Sequence, residues 1–211
     1  MSLDLLCDPV DLNLDAIKLG SIKPKGSRRS EVRVFNNKKE IQLKTGVMKS
    51  VYGAQMNSYK KDEHYIELTT TDQIFIDSIL ALDQKIVEEL GNCDGNLFGQ
   101  IDSKTPKENF MGIARVKNPF TIRLILSKDA NGFFDWSLFD HDKKELKVTS
   151  DNVLQVIPKG TLCKVIFSLD RVWYFQDRFG IICKLKQMKL EKEETKEETK
   201  KEKTQNYLFL D

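Results

Sequence analysis

Residues 161–190 read TLCKVIFSLDRVWYFQDRFGIICKLKQMKL, and this stretch decides the fold. Cys163, Val165, Phe167, Leu169, Trp173, Phe175, Ile181, Cys183 and Leu185 are apolar at odd positions, whereas Lys164, Ser168, Asp170, Gln176, Lys184 and Lys186 are polar at even ones. Side chains two residues apart share a strand face, so the pattern predicts two half-buried strands joined as a hairpin. The odd face is the expected core, with Arg171 its exception. The even face carries Lys164, Tyr174, Lys184 and Lys186, which become the favoured ligand contacts. Trp173 and Phe175 reach solvent only where the hairpin projects beyond the body.

The same hairpin concentrates chemistry. Arg171, Trp173, Tyr174, Phe175, Arg178 and Phe179 fall within nine residues, and Lys184, Lys186 and Lys189 follow on the return strand. Rigid rings beside cations suit a single-stranded nucleic acid, because rings stack on bases and cations neutralise phosphates. The plainer alternative is that these aromatics fill a β core, where large rings usually go.

Working outward, most of the chain reads as short strands. Val32 and Val34 alternate with Ile41 and Leu43 around the turn Asn36–Lys39. Residues 47–57 read as a strand with Gly53 a bulge or bend, and Tyr65–Leu68 as another. Short strands begin near Leu97 and Ile113. The segments 121–127 (TIRLILS) and 133–139 (FFDWSLF) read as a hairpin turning at Asn131–Gly132. Residues 153–157 and the turn Pro158–Gly160 lead into the final hairpin. One helix is expected over residues 71–90: Phe75, Ile79, Leu82, Ile86 and Leu90 form a core-facing stripe, Thr70 and Gln73 a capping box, and Gly91 the stop. Many short strands with one inserted helix predict a mainly β (α+β) protein, an OB-like antiparallel barrel with extensions.

The domain is expected to span 1–190. Residues 1–30 form its N-terminal arm, a short helix or an extended segment, followed by the flexible loop IKPKGSRRSEVR. Arg28 and Arg29 there read as phosphate contacts, or as an ordinary solvated loop. A second aromatic group, Phe133, Phe134 and Trp136, has Arg115, Lys117, Arg123 and Lys128 for neighbours in sequence. Neighbouring rings there point to opposite faces, one set to the core and the other to a stacking platform.

Residues 191–211 form a charged, low-complexity tail expected to be disordered. It ends in the apolar tip NYLFLD, whose Tyr207 and Phe209 read as a docking peptide for another protein or a neighbouring subunit. The tail holds five lysines and seven acids, which leaves 29 basic and 25 acidic residues in the body, a net +4. That bias is mild. The four cysteines show no CxxC or Cys/His spacing, and Cys163 and Cys183 are placed as cross-strand neighbours in a reduced core. No secretory signal or run of about 20 apolar residues is present, so neither secretion nor a membrane is expected. No phosphate-loop, GxSxG or HExxH motif occurs, so no enzyme activity, metal or cofactor is expected. Asp140–His141–Asp142 is the one candidate for a metal-dependent nuclease.

The run from Pro158 through Leu190 resembles the end of the replicative single-stranded DNA-binding proteins of large nucleocytoplasmic DNA viruses such as iridoviruses. The shared features are the turn, the apolar strand, Val172–Trp173, a short turn, Phe179–Gly180 and a Lys- and Gln-bearing strand. The likeness covers residues 121–190, roughly a third of the chain. That family is similar in plan to OB-fold single-strand binders of phages, whose acidic, aromatic-ended tails contact replication enzymes. The resemblance implies a non-enzymatic protein that coats single-stranded DNA in viral replication, recombination or repair, in host cytoplasm or nucleus. It also implies that Tyr207 and Phe209 dock replication proteins. This tail departs from the pattern: it is near neutral and ends in Asp211, so hydrophobic docking is implied but electrostatic competition with DNA is not. Binding is expected to fall steeply with salt through counterion release. The rival from another class is an interaction scaffold that uses the C-terminal peptide.

Overall fold

The computed structural model describes residues 5–25, 29–60, 62–92, 109–117, 119–176 and 178–192. The decisive hairpin is its spine. Strands β14 (Leu162–Phe175) and β15 (Arg178–Leu190) pair antiparallel from Cys163↔Leu190 to Phe175↔Arg178. Each outer edge of this long ribbon takes up shorter strands in series. Along β14 these are β7 (Met48–Met56), β6 (Lys39–Lys44) and β4 (Arg29–Val32). Along β15 they are β9 (Phe110–Met111), β11 (Phe120–Leu126) and β12 (Ser137–Phe139).

Closure follows from the pairings. β7 pairs antiparallel with β8 (His64–Thr69), β8 antiparallel with β11, β11 parallel with β15 at Ile125↔Lys184, and β14 antiparallel with β7 at Cys163↔Met48. The cycle β7–β8–β11–β15–β14–β7 is a closed five-stranded barrel whose third and fifth strands run parallel, which is OB-like topology. Ile66, Leu68, Ile122, Leu124, Phe167, Leu169, Ile181 and Leu185 fill it, each at most 2% exposed. Burial of such side chains stabilises by about 1.5–3 kcal/mol each.

The extensions wrap this barrel. The arm mixes both expected forms: β1 (Leu5–Cys7) runs parallel to β6, two short 3-10 helices follow at Pro9–Asp11 and Leu14–Ala16, and β2 (Ile17–Leu19) pairs with β5 (Val34–Asn36). β5 and β6 form the expected hairpin, with Asn37 and Lys38 both at positive φ in its two-residue turn. The basic segment is more ordered than a loop: β3 (Lys23–Pro24) pairs with β4, and residues 26–28 lie outside the described residues. Gly53 sits at φ +81° where β7 bulges, and an added Cβ would stand 2.7 Å from the Ile157 carbonyl.

Helix α1 (Gln73–Gly91) buries the expected stripe of Phe75, Ile79, Leu82, Ile86 and Leu90. It lies against the arm, where Lys18 Nζ meets Glu89 at 3.2 Å, and against β10 (Ala114–Lys117). Its cap differs from the capping box. Asp72 is the N-cap and its carboxylate accepts from Phe75 N–H, while Thr70 Oγ1 accepts from Asp72 N–H. The helix runs through Gly91 and ends at Asn92.

Two other expectations fail. Segments 121–127 and 133–139 do not pair as strands: they meet at the bridge Lys128↔Phe134 and where Ser127 Oγ donates to Asp135. Both edges of β11 are already taken, by β8 on one side and by β10 and β15 on the other. β12 therefore crosses to run parallel with β15, and β13 (Glu145–Leu146) pairs outside it. Residues 153–156 are a short helix, α2. Cys163 and Cys183 are not cross-strand neighbours: Cys163 lies opposite Leu190 and Cys183 opposite Leu169. Both are free and buried, and burial pushes each thiol up to about 12. Leu97 lies outside the described residues.

Candidate nucleic-acid interface

The hairpin carries two bulges, and they correct the face assignment. Asp170 is an extra residue between the pairs Leu169↔Cys183 and Arg171↔Ile182, and Lys186 is extra between Leu185 and Gln187. One inserted residue reverses which side chains face inward. Up to Leu169 the odd positions are buried; beyond Asp170 the buried residue is Val172, and Tyr174 packs on the core with its ring 5.0 Å from Phe179. Arg171, Trp173 and Phe175 therefore turn outward, against the odd-face expectation. Arg171 is no exception to a pattern but part of the exposed face.

Directly paired residues share a sheet face, so the register maps a continuous outer surface. Phe175, 41% exposed, has Arg178 on one side and Arg29 on the other. Trp173 lies between Gly180 and Glu31, with its indole directly over Gly180; an added Cβ there would stand 2.5 Å from Trp173 Cζ2. Met111, exposed, flanks Gly180 from β9. Next come Arg171 opposite Ile182, then Lys184 opposite Ile125, then Tyr65 opposite Ile125 across β8–β11. Beside Tyr65, the Arg123 guanidinium lies 4.5 Å from the ring centroid and 2.6 Å from a Glu67 carboxylate oxygen.

Two turns leave the His64 end of the β8–β11 pair. Asn57 Oδ1 accepts from Tyr59 N–H and Lys60 N–H, leaving the Tyr59 ring 95% exposed. Across from it, Asp129 Oδ1 accepts from the N–H groups of Asn131 and Phe133 and presents Phe133, 71% exposed. Phe134 stands edge-on to His64 at 5.7 Å and under Lys128 Nζ at 5.5 Å. His64 is 1% exposed; burial and the nearby Lys128 charge depress its pKa below the ordinary value.

A charged lattice runs through the hairpin end of this face. Glu31 accepts from Arg29 at 2.8 Å and from Arg171 at 2.6 Å. Asp170 accepts from Arg171 Nε at 2.6 Å and meets Lys184 Nζ at 3.3 Å. Burial opposes ionisation of Glu31, but its hydrogen bond and attraction to Arg171, with help from Arg29, hold the carboxyl below its ordinary value. Burial likewise weakens the Arg171 cation, and its two carboxylate partners more than compensate.

The structure therefore brings together Trp173, Phe175, Arg29, Arg171, Arg178, Lys184 and Arg123 on one surface, with Phe133 and Lys128 at its far end; Phe134 instead packs against the core, beside His64 and Trp136. Others lie elsewhere. Trp136 is 7% exposed and belongs to the core. Arg115 is no surface cation: it reaches across the seam between β11 and β15 to donate to the Ile181 carbonyl at 3.1 Å, and burial lowers its pKa. Lys164 lies nine residues before Trp173, about 30 Å along an extended strand, beside Glu191. Lys186 occupies the second bulge. Arg28, the Lys117 side chain, Tyr207 and Phe209 lie outside the described residues. Asp140 is engaged in its own turn, accepting from Asp142 N–H and Lys144 N–H. Among the described residues no three His, Cys, Asp or Glu side chains gather as a metal site.

Tyr65 and Tyr59 were missed by the sequence reading. Tyr65 carries a signal, since HYIELT alternates with Ile66 and Leu68 inward. Its place beside Arg123 needed the β8–β11 register.

No family model matches the chain, and no curated protein matches it. Among solved structures, it is similar to the single-stranded DNA-binding protein of bacteriophage Enc34, at 11% identity and TM-score 0.50 over 84% of this chain and 92% of that one. A C-terminal truncation of that protein aligns at 10% identity and TM-score 0.50, over 84% of this chain and 97% of that one. The gp2.5 single-stranded DNA-binding protein of bacteriophage T7 aligns over 77% of this chain and 94% of its own, at 12% identity and TM-score 0.46. At these identities the first two likenesses are likenesses of fold.

Proposed function

We propose that this protein binds single-stranded DNA with little sequence preference. The observation that carries the proposal is the continuous outer face from Phe175 and Trp173 through Lys184 to Tyr65 and Arg123. OB barrels bind oligonucleotides on the face of their second and third strands and on the loops after the first and fourth. Here those positions are β8 and β11, the Tyr59 loop and the Phe175–Arg178 tip. Rings there stack on any base, and the cations between them track the phosphates. The fold likeness to a phage single-stranded DNA-binding protein supports the same reading.

The finer reading is a replicative coat protein of a large DNA virus, acting without catalysis at the site of replication, recombination or repair in the host cell. Its tail engages replication enzymes, or a neighbouring subunit, through Tyr207 and Phe209. No described helix is long and apolar enough to cross a membrane.

Fluorescence anisotropy with a labelled strand of about 30 nucleotides, which spans several OB-type sites, tests the core proposal against the matching duplex. Tight single-strand binding with far weaker duplex binding is expected. Replacing Trp173 and Phe175 with Ala should each weaken binding by about 1–3 kcal/mol. Absence of binding at low salt would overturn the proposal.

A further inference from the structure

Three cations of the hairpin face, Arg29, Arg171 and Lys184, are not simply displayed; two carboxylates hold them. Glu31 is 8% exposed, lies beside Trp173 in the register, and is bonded to both Arg29 and Arg171. Asp170 is the inserted residue of the bulge, and it engages Arg171 and Lys184. Neither acid is needed to bury an apolar surface. Both stand in the row of side chains that the proposed function assigns to the DNA backbone.

We infer that Glu31 and Asp170 are built-in competitors for the phosphates, setting single-strand affinity below the value the three cations would otherwise give. The inference rests on the proposed function above. Arg29, Arg171 and Lys184 carry three positive charges, and the two carboxylates cancel two of them within 3.3 Å. A phosphate that approaches must share guanidinium and ammonium donors already engaged, and it meets two negative charges at close range. Counterion release scales with the cations a strand neutralises, so a cation already neutralised by a carboxylate contributes less. The carboxylates also have a positioning effect, since Asp170 on Nε and Glu31 on a terminal nitrogen orient the Arg171 plane. An arginine has five N–H donors, so donors remain for a phosphate. The charge effect outweighs the positioning effect because Arg171 keeps donors for a phosphate either way, while two carboxylate charges stay within 3.3 Å of the cations. A coat protein that must later be displaced from the strand gains from such a limit.

The test uses the full chain, a labelled single strand, and three variants: Glu31→Gln, Asp170→Asn and the double variant. Asp151→Asn, in an exposed turn before α2 and not among the residues of this face, controls for a simple change of net charge. The double variant is expected to bind about three- to tenfold more tightly at low salt, with a log–log salt slope steeper by about 0.7 for each cation released. The control should match the wild type. Unchanged or weaker binding by well-folded Asp170→Asn, with an unchanged salt slope, would overturn the inference and leave the carboxylates as organisers of Arg171. Asp170→Asn serves this purpose even if loss of the more buried Glu31 impairs folding. A wild type that binds no single strands would overturn the proposed function itself, a result distinct from unchanged variants of a protein that binds.

Discussion

At the scale of single residues, Gly180 and His64 each carry a constraint that their neighbours explain. Gly180 lets the Trp173 indole lie flat on the β15 backbone, because a Cβ would stand 2.5 Å from the ring. Gly180→Ala should lift the indole, destabilise the protein by about 1–3 kcal/mol and shift the tryptophan fluorescence. An unchanged emission spectrum would show that the ring does not rest there. His64, nearly without exposure beneath Phe134, has a depressed pKa in the folded state. The unfolded chain then binds the proton more readily, so its contribution to stability is complete above about pH 6.5 and is lost as pH falls below that value. Glu31, Glu89 and Glu191 are also held below their ordinary values, each by its basic partners against burial, but their contribution is lost only below about 4.5. Between pH 7 and 5 the denaturant midpoint should therefore drift downward through His64. His64→Leu should flatten that drift, whatever it does to absolute stability.

At the scale of elements, the segment carrying β9 and β10 shows how side-chain caps hold the barrel seam. Asp83, on α1, accepts from Ile113 N–H at 2.7 Å and Ala114 N–H at 3.1 Å, and it stands against Gly112. Asp83→Ala leaves those donors without it, at a cost of about 1–3 kcal/mol. Amide exchange at Ile113 and Ala114 should accelerate more than in β7 or β8; uniform acceleration would mean that the cap is not local. Such long-range ties explain what could be read from sequence. The final hairpin, the 36–39 turn, the Gly53 bulge and the α1 stripe are local patterns of period or turn chemistry, and all are present. The bulge at Asp170 is not such a pattern: SLDRVW contains no glycine or proline to mark it, and only pairing with β15 shows that a residue is inserted. That single insertion exchanged the places of Tyr174 and Trp173. Arg115 failed for a related reason, because a cation between strands looks the same in sequence whether it faces water or closes a seam. The 121–139 hairpin failed because pattern alone cannot tell that both edges of β11 are occupied.

At the scale of the whole molecule, the question is how much of the binding is electrostatic. A body charge of +4 spread over the barrel is mild, and the face spends much of it internally. Arg29 and Arg171 share Glu31, Lys184 meets Asp170, Arg123 meets Glu67, and Lys60 meets Glu63. Among the described residues of this face, Arg178 and Lys128 form no ion pair. Exposed pairs hold their charges weakly, at about 0–1 kcal/mol, so a phosphate can displace some of them but not at full gain. The strand should therefore neutralise about two to four net charges, giving a log–log salt slope of roughly −1.4 to −2.8. This is shallower than the steep dependence expected from the sequence, which does not show the carboxylate partners. The balance of affinity must then come from stacking on Trp173, Phe175, Tyr65 and the exposed rings of Tyr59 and Phe133. Titrations of the wild type across a range of monovalent salt would decide the division. A slope near −5 would mean that the carboxylates yield their cations almost completely when DNA binds. A shallow slope, combined with large losses on ring truncation, would identify a face that grips bases more than phosphates, and binding should then persist at salt concentrations that strip a purely cationic groove.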